Sequence, residues 1–278
     1  MNNPVFVRAR FPRTAHDDQL QAQLIARDPL GFLEEDDWWE VYFNESEWDA
    51  VASALQTSWQ SISPPVIPDV QHFDQENWNA QWEQSIRPIA VSDRIVITPS
   101  WHEVKDSEGL VLVIDPKMSF GTGYHQTTRL MLRLMEDDVR AGDVLLDVGT
   151  GTGVLAIAGV LLGAARADGV DTDEWSYENA MENAQRNRVS DRVRFAHGSL
   201  EHASGPYDAI LSNITKLDNI AMLAAFGDLL RPGGRLLLSG FYRDDVADIR
   251  TALDELHFPV TREMHEDEWA ALCAVKEK

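Results

Sequence analysis

Asp143-Val-Leu-Leu-Asp147-Val-Gly149-Thr-Gly151-Thr-Gly153-Val-Leu-Ala-Ile157, with Gly169-Val-Asp171 ending 22 residues after Gly149, is the stretch that decides the fold. A short apolar run that ends in three alternating glycines and then turns helical reads as a buried parallel strand, a tight loop and a helix opening toward a ligand. Glycine suits such a loop because the backbone turns sharply and comes close to the ligand, and free N–H groups at a helix start attract negative charge. Asp171, at the end of the next strand, would accept hydrogen bonds from ribose hydroxyls.

From residue 127 onward helical and strand patterns alternate around this unit, which implies a mainly parallel sheet covered on both faces. Helices are expected around Leu130, Met131 and Leu134, over 154–162, around Tyr177, Ala180, Met181 and Ala184, around Leu217, Ile220, Leu223 and Ala224, and around Val246, Ile249 and Leu253. Strands are expected at 143–148, up to Asp171, at 192–196, 207–212 and 235–239, with Pro232-Gly-Gly234 breaking the chain before the last of these. Two closing strands, 260–264 and 269–275, have only four residues between them and so pair antiparallel.

The chain ahead of this region is organised differently. Val5, Val7, Ala9 and Phe11 alternate with polar or opposite-facing residues, the pattern of a half-buried strand. A short helix with Leu20, Leu24 and Ile25 is stopped by Asp28-Pro29. A strand at 39–43 leads through Asn44-Glu-Ser-Glu47, a capping-box pattern, to a helix with Trp48, Val51, Ala52, Leu55 and Trp59 on one face. The prolines of 63–68 mark a boundary. We therefore expect a small α/β domain over 1–62 and a linker with a connecting helix over 63–92, the helix bearing Trp78 and Trp82. A larger α/β domain follows over 93–278, opening with strands at 94–98 and 110–114.

Of 278 residues, 46 are acidic and 24 basic, a net charge of −22 spread along the chain rather than gathered in a tail. Such a field repels nucleic acid, which basic patches must bind, and attracts a basic protein. The scatter of the acids also suits a surface adapted to a salty cytoplasm. No basic, apolar leader and no apolar run of about 20 residues is present, so a soluble cytoplasmic monomer without a membrane partner is expected. The single cysteine, Cys273, sits among apolar residues and reads as a packed strand thiol. No cysteine pair supports zinc. Seven of the nine tryptophans lie before residue 102, enough for a small core and, in part, for a docking face.

By itself the glycine loop is ambiguous. Gly151-Thr-Gly153-Val-Leu-Ala156 fits a dinucleotide fingerprint, with Asp171 about 20 residues on, so an NAD-dependent oxidoreductase competes. Two further stretches weigh against it. Ser119-Phe-Gly121-Thr-Gly123-Tyr-His125-Gln-Thr127-Thr128 is a second glycine loop opening its own helix, where Thr127 and Thr128 can cap the backbone or offer hydroxyls to a carboxylate. Tyr207–Ser212 is a buried strand ending in Asn213, a carboxamide at the sheet edge.

Together with Asn77-Trp78, Pro99-Ser-Trp101, Asp115-Pro116 and Asn213-Ile214, these stretches resemble the AdoMet-dependent methyltransferases, and specifically the bacterial PrmA-type enzymes that methylate the large-subunit ribosomal stalk protein eleven. The resemblance covers residues 77 to the C-terminus. It implies a Rossmann-like domain with a seven-stranded, mainly parallel sheet and an antiparallel closing strand, preceded by a small substrate-recognition domain. S-adenosyl-L-methionine is the implied cofactor, and a basic protein of the large ribosomal subunit the implied substrate, methylated on an α-amine or a lysine ε-amine. A different basic protein is the alternative. Carried over, the family's cofactor contacts fall on Thr128, Gly149, Asp171 and Asn213, with Thr127, Gly151 and Gly153 as neighbours. Asn213 and the Ile214 carbonyl are candidates to orient the amine, while His125 reads as a structural hydrogen-bonder. Lys117, Ser119 and Thr215 depart from the family's usual residues.

Overall fold

Alternation at period two in the first residues and unbroken apolar runs later on separate the chain into two kinds of sheet. The structure, a computed structural model, describes residues 5–13, 24, 27, 31–34, 37–59, 68–74, 87–102, 104, 109–115 and 125–277. It divides into two compact units, Met1–Ile86 and Arg87–Lys278.

The first unit is a four-stranded antiparallel sheet of β1 (Val5–Pro12), β2 (Gly31–Glu34), β3 (Trp38–Asn44) and β4 (Asp69–Asp74), in the order β2-β3-β1-β4. Helix α1 (Glu45–Trp59) lies against it, with Asn44 donating to Glu47 at its start (3.2 Å). Val7, Ala9 and Phe11 are fully buried with Trp39, Val41, Phe43, Trp48 and Leu55. One strand here was not expected, and one expectation changes. Residues 31–34 form a strand, although only four residues long. Part of the expected linker, 69–74, is a strand of this sheet, because Val70 and its neighbours complete the pairing of β1. The helix expected around residues 20–25 lies outside the described residues except for Leu24, which is buried. Trp78 and Trp82 also lie outside them.

The second unit begins with a small sheet, β5 (Ile89–Ala90), β6 (Ile95–Thr98) and β7 (Leu110–Val113), in which β6 and β7 run parallel. Its main sheet has seven strands: β8 (Val144–Val148), β9 (Arg166–Asp171), β10 (Val193–His197), β11 (Tyr207–Asn213), β12 (Leu230–Tyr242), β13 (Val260–Glu266) and β14 (Trp269–Val275). Their order is β10-β9-β8-β11-β12-β14-β13, and only β14 runs against the rest. Strands buried on both faces read as continuous apolar runs. Leu145 accordingly packs into one layer with α2 (Gln126–Asp138) and α3 (Val154–Leu161), while Leu146 and Val148 pack into the other with α5 (Lys216–Leu229) and α6 (Val246–Glu255).

Helix α4 (Glu174–Arg186) departs from the expected apolar face. Met181 is 44 % exposed, and the buried positions are Ser176, Asn179, Ala180, Asn183 and Ala184. The reason is its partner: α4 packs on polar backbone as well as on the sheet. Asn183 accepts from the Asp115 N–H (3.0 Å) and donates to the Asp115 and Thr152 carbonyls, while Asn187 accepts from Val113 N–H (2.9 Å) and donates to Val113 O (2.7 Å). Leu217, expected on the buried face of α5, is 73 % exposed. The break expected at Pro232-Gly-Gly234 is an irregularity inside β12, which runs from Leu230 to Tyr242 with its register to β11 shifted there.

Candidate functional site

The order of the strands places the site. The chain winds outward from β8 through β9 to β10, then returns to the other side of β8 with β11 and β12, so the carboxyl ends of β8 and β11 border a crevice. The glycine loop follows β8 and Asn213 ends β11. A cavity of about 230 Å³ lies there, with apolar walls from Val148, Val170, Ile214 and Met222 and polar groups from Asp171, Thr172, Ser199 and Asp218.

The loop is held by its own hydrogen bonds. Gly149 and Thr150 donate to Val170 O, Gly151 donates to an Asp171 carboxylate oxygen (2.8 Å), and Gly153 donates to Thr150 O. The expectation of free N–H groups for an anion is therefore corrected at these four positions. A dinucleotide pyrophosphate would need such donors, so their engagement weighs against the Gly151-x-Gly153-x-x-Ala156 reading. Even the Ala156 N–H is taken, by Asp147 (3.2 Å). Gly149 instead contributes close approach: its φ is +69°, and a Cβ there would sit 2.5 Å from the Ile214 Cγ2 methyl. Asp171 accepts from both Gly151 and Asp173 while lining the cavity.

Beneath the loop, the Asp147 carboxyl is fully buried and accepts from the Thr150 hydroxyl (2.6 Å), leaving its other oxygen without a partner. Burial pushes its pKa up to about 7, the Thr150 and Ala156 donors oppose that rise, and the charge of Asp171 adds to it.

Asn213 and Thr128, 85 residues apart, meet across the crevice: the Asn213 amide lies 3.5 Å from the Thr128 hydroxyl oxygen. The Asn213 side-chain oxygen is buried and has no hydrogen-bond partner among the described residues. The turn after it is clamped by Asn219, which accepts from Ser212 and donates to Ile214 O (3.0 Å) and Ser239 O (2.9 Å). The Ile214 carbonyl is thus engaged by one donor and also abuts Gly240, where any Cβ would collide with it. Thr215, unusual by sequence, caps α5 by accepting from the Asp218 N–H (3.3 Å).

The helix bearing the two threonines is capped by His125, not by either of them. Its Nδ1 accepts from the Thr127 N–H (3.3 Å) and lies 2.8 Å from the Thr127 hydroxyl, so Thr127 turns toward the cap while Thr128 turns toward Asn213. Burial, followed by the Arg129 charge, lowers the His125 pKa against the pull of Glu268, which favours the neutral ring that an accepting nitrogen requires. Residues 119–124 of the upstream loop, with Lys117, lie outside the described residues. Of the flanking motif, Ser100 donates twice to the buried Asp115 carboxylate, which Arg186 also holds at 2.7 Å. Among the described residues no cluster of acids, histidines and cysteines could hold a metal. Cys273 is buried in β14 with its thiol pushed up to about 11 by burial, a packed group and not a nucleophile.

Sequence reasoning missed Asp147, Asn183, Asn219 and the cavity residues Ser199 and Met222 as parts of the site. For Asn183 a signal existed in the i, i+4, i+8 spacing of Asn179, Asn183 and Asn187.

The model of the family described as ribosomal protein L11 methyltransferase (PrmA) matches residues 16–277. A ribosomal protein L11 methyltransferase of Chlorobaculum tepidum is 38 % identical over 251 residues, 86 % of this chain and 85 % of that one. One of Thermus thermophilus is 41 % identical over 200 residues, 71 % and 77 % of the two chains. The crystal structure of a ribosomal protein L11 methylase from Lactobacillus delbrueckii subsp. bulgaricus superposes with a TM-score of 0.65 at 28 % identity, covering 69 % of this chain and all of that one.

Proposed function

The chain belongs to the ribosomal protein L11 methyltransferase (PrmA) family and is an AdoMet-dependent protein methyltransferase; from that premise we propose that it methylates amines of ribosomal protein L11 through the site at the ends of β8 and β11. The observation that carries the reading is the buried Asn213 side-chain oxygen beside Thr128, an acceptor with no partner among the described residues at a crevice with apolar walls.

The residues present fit the cofactor. Asp171 would hold the ribose with its remaining lone pairs, Gly149 would let the cofactor lie against the loop, and Thr128 and Asn213 would hold the methionine end. Gly151, Gly153 and Thr127 act one step back: the first is tied to Asp171, the second opens α3, and the third fixes the cap of α2. AdoMet supplies a methyl group already activated on a sulfonium. What the chain must add is position and a neutral amine. Asn213 accepts one N–H of the amine and so aims its lone pair. An α-amine, with a pKa of about 7.7–8, is partly neutral at pH 7, while a lysine at about 10.4 must shed its proton on entering.

A cytoplasmic monomer is the form this reading takes. The test is transfer of labelled methyl from AdoMet into ribosomal proteins of a strain lacking this gene. Label in L11, lost with Asn213→Ala and with AdoMet binding lost in Asp171→Ala, is expected. Label in another basic protein only would overturn the substrate and leave the chemistry.

A further inference from the structure

Three rings stand in a row along the same edge of the sheet, outward from Asn213. Ser239 lies opposite Asn213 in the β11–β12 register, Gly240 abuts the Ile214 carbonyl, and Tyr242 ends the strand two residues later. Tyr242 pairs with Trp269 across the antiparallel strands, and their rings stack at 4.3 Å and 30°. His125, two residues before Thr127, meets Trp269 edge-on at 4.5 Å. The row is fixed from behind: Gln126 donates to Asp267, and Arg129 and Arg133 both bind Glu266, so the hairpin carrying Trp269 is tied to α2.

Trp269 is half-buried within this row, but Tyr242 is 51 % exposed, with its ring stacked on Trp269. An aromatic face presents negative charge to a cation. The surroundings reinforce it. Asp244 and Glu268, two and one residues in sequence from the two rings, are exposed carboxylates, whereas the neighbouring cation Arg243 is directed to the Asp267 carbonyl (3.0 Å). Nothing in methyl transfer at Asn213 requires a rigid, exposed aromatic stack about three residues, or roughly 10 Å, farther along the strand.

We propose that the outer face of Tyr242, braced by Trp269, is a seat for the cationic amine group of the protein substrate: a lysine ammonium before it sheds its proton, and its methylated forms between rounds. The proposal rests on the amine methyltransferase reading. It makes Tyr242 a specificity-determining, positioning residue. A methylated ammonium is the better occupant because methylation keeps the charge and lowers its hydration.

The experiment compares the full chain with Tyr242→Leu and Tyr242→Phe. Two readouts are taken: steady-state methylation of L11, and binding of short peptides carrying lysine, dimethyllysine or norleucine at one position. Tyr242→Leu is expected to raise KM for L11 roughly tenfold with kcat and AdoMet affinity little changed, and Tyr242→Phe to restore it. The wild-type chain should bind the dimethyllysine peptide more tightly than the norleucine one, and Tyr242→Leu should erase the difference. An unchanged KM or an unchanged peptide preference in Tyr242→Leu overturns the seat while the methyltransferase reading stands. If the wild-type chain does not methylate L11 yet shows the Tyr242-dependent peptide preference, the seat stands and the substrate is wrong.

Discussion

Asp147 is a carboxyl placed where water cannot reach it, under a loop that must keep its shape. Its folded pKa of about 7 lies above the unfolded value, so the folded chain holds a proton that the unfolded chain has released between roughly pH 4 and 7. Stability contributed by this group is therefore greatest below pH 4 and declines as pH rises to about 7, by an amount on the order of 4 kcal/mol if one unit is about 1.4. Asp147→Asn keeps an acceptor for Thr150 and Ala156 and removes the titration. Urea denaturation of the variant between pH 4 and 7 is expected to show a flatter stability profile than the wild type. A profile that falls as before would show that the proton sits elsewhere.

At the scale of elements, α4 fixes the geometry of two segments that the sequence keeps far apart. Its Asn183 satisfies the N–H and the C=O of Asp115 and the C=O of Thr152, all at buried positions. Orphaning such groups costs about 1–3 kcal/mol each. Asn183→Leu, close in size, is expected to lower stability by at least about 3 kcal/mol and to weaken AdoMet binding, whereas exposed Met181→Ala should change neither; calorimetric melting and AdoMet titration check both. Much of the main sheet was legible, because strands buried on both faces and helices at period 3.6 write themselves into the apolar pattern, as at 144–148 and 246–255. Thr128, Gly149, Asp171 and Asn213 could be named from motifs, and Asn213 and Thr128 are indeed brought together. What periodicity could not show was where polar groups are spent: the loop N–H groups used on Val170 and Asp171, the cap supplied by His125, the buried asparagine face of α4. Each depends on a partner distant in sequence. Short strands such as 31–34 and 69–74 carry too few residues for their pattern to stand out from loops.

The whole molecule carries −22 in charge and, in its family, a ribosomal protein as substrate. Long-range attraction to a basic protein is screened with a Debye length falling from about 10 Å at 0.1 M salt to about 3 Å at 1 M. KM for L11 is expected to rise several-fold between those concentrations while the AdoMet dissociation constant moves far less. A KM indifferent to salt would assign the acidic surface to tolerance of a salty cytoplasm. The asparagine clamp of α4 has one further consequence, mechanical rather than energetic. A single pin joins the carbonyl of Thr152, inside the glycine loop, to the backbone of Asp115, from which the chain runs toward the second glycine loop. Neither attachment can be displaced without pulling on the other, so Asp115 and the glycine loop form one linkage with its pivot at residue 183, and a load applied at either end is felt at both.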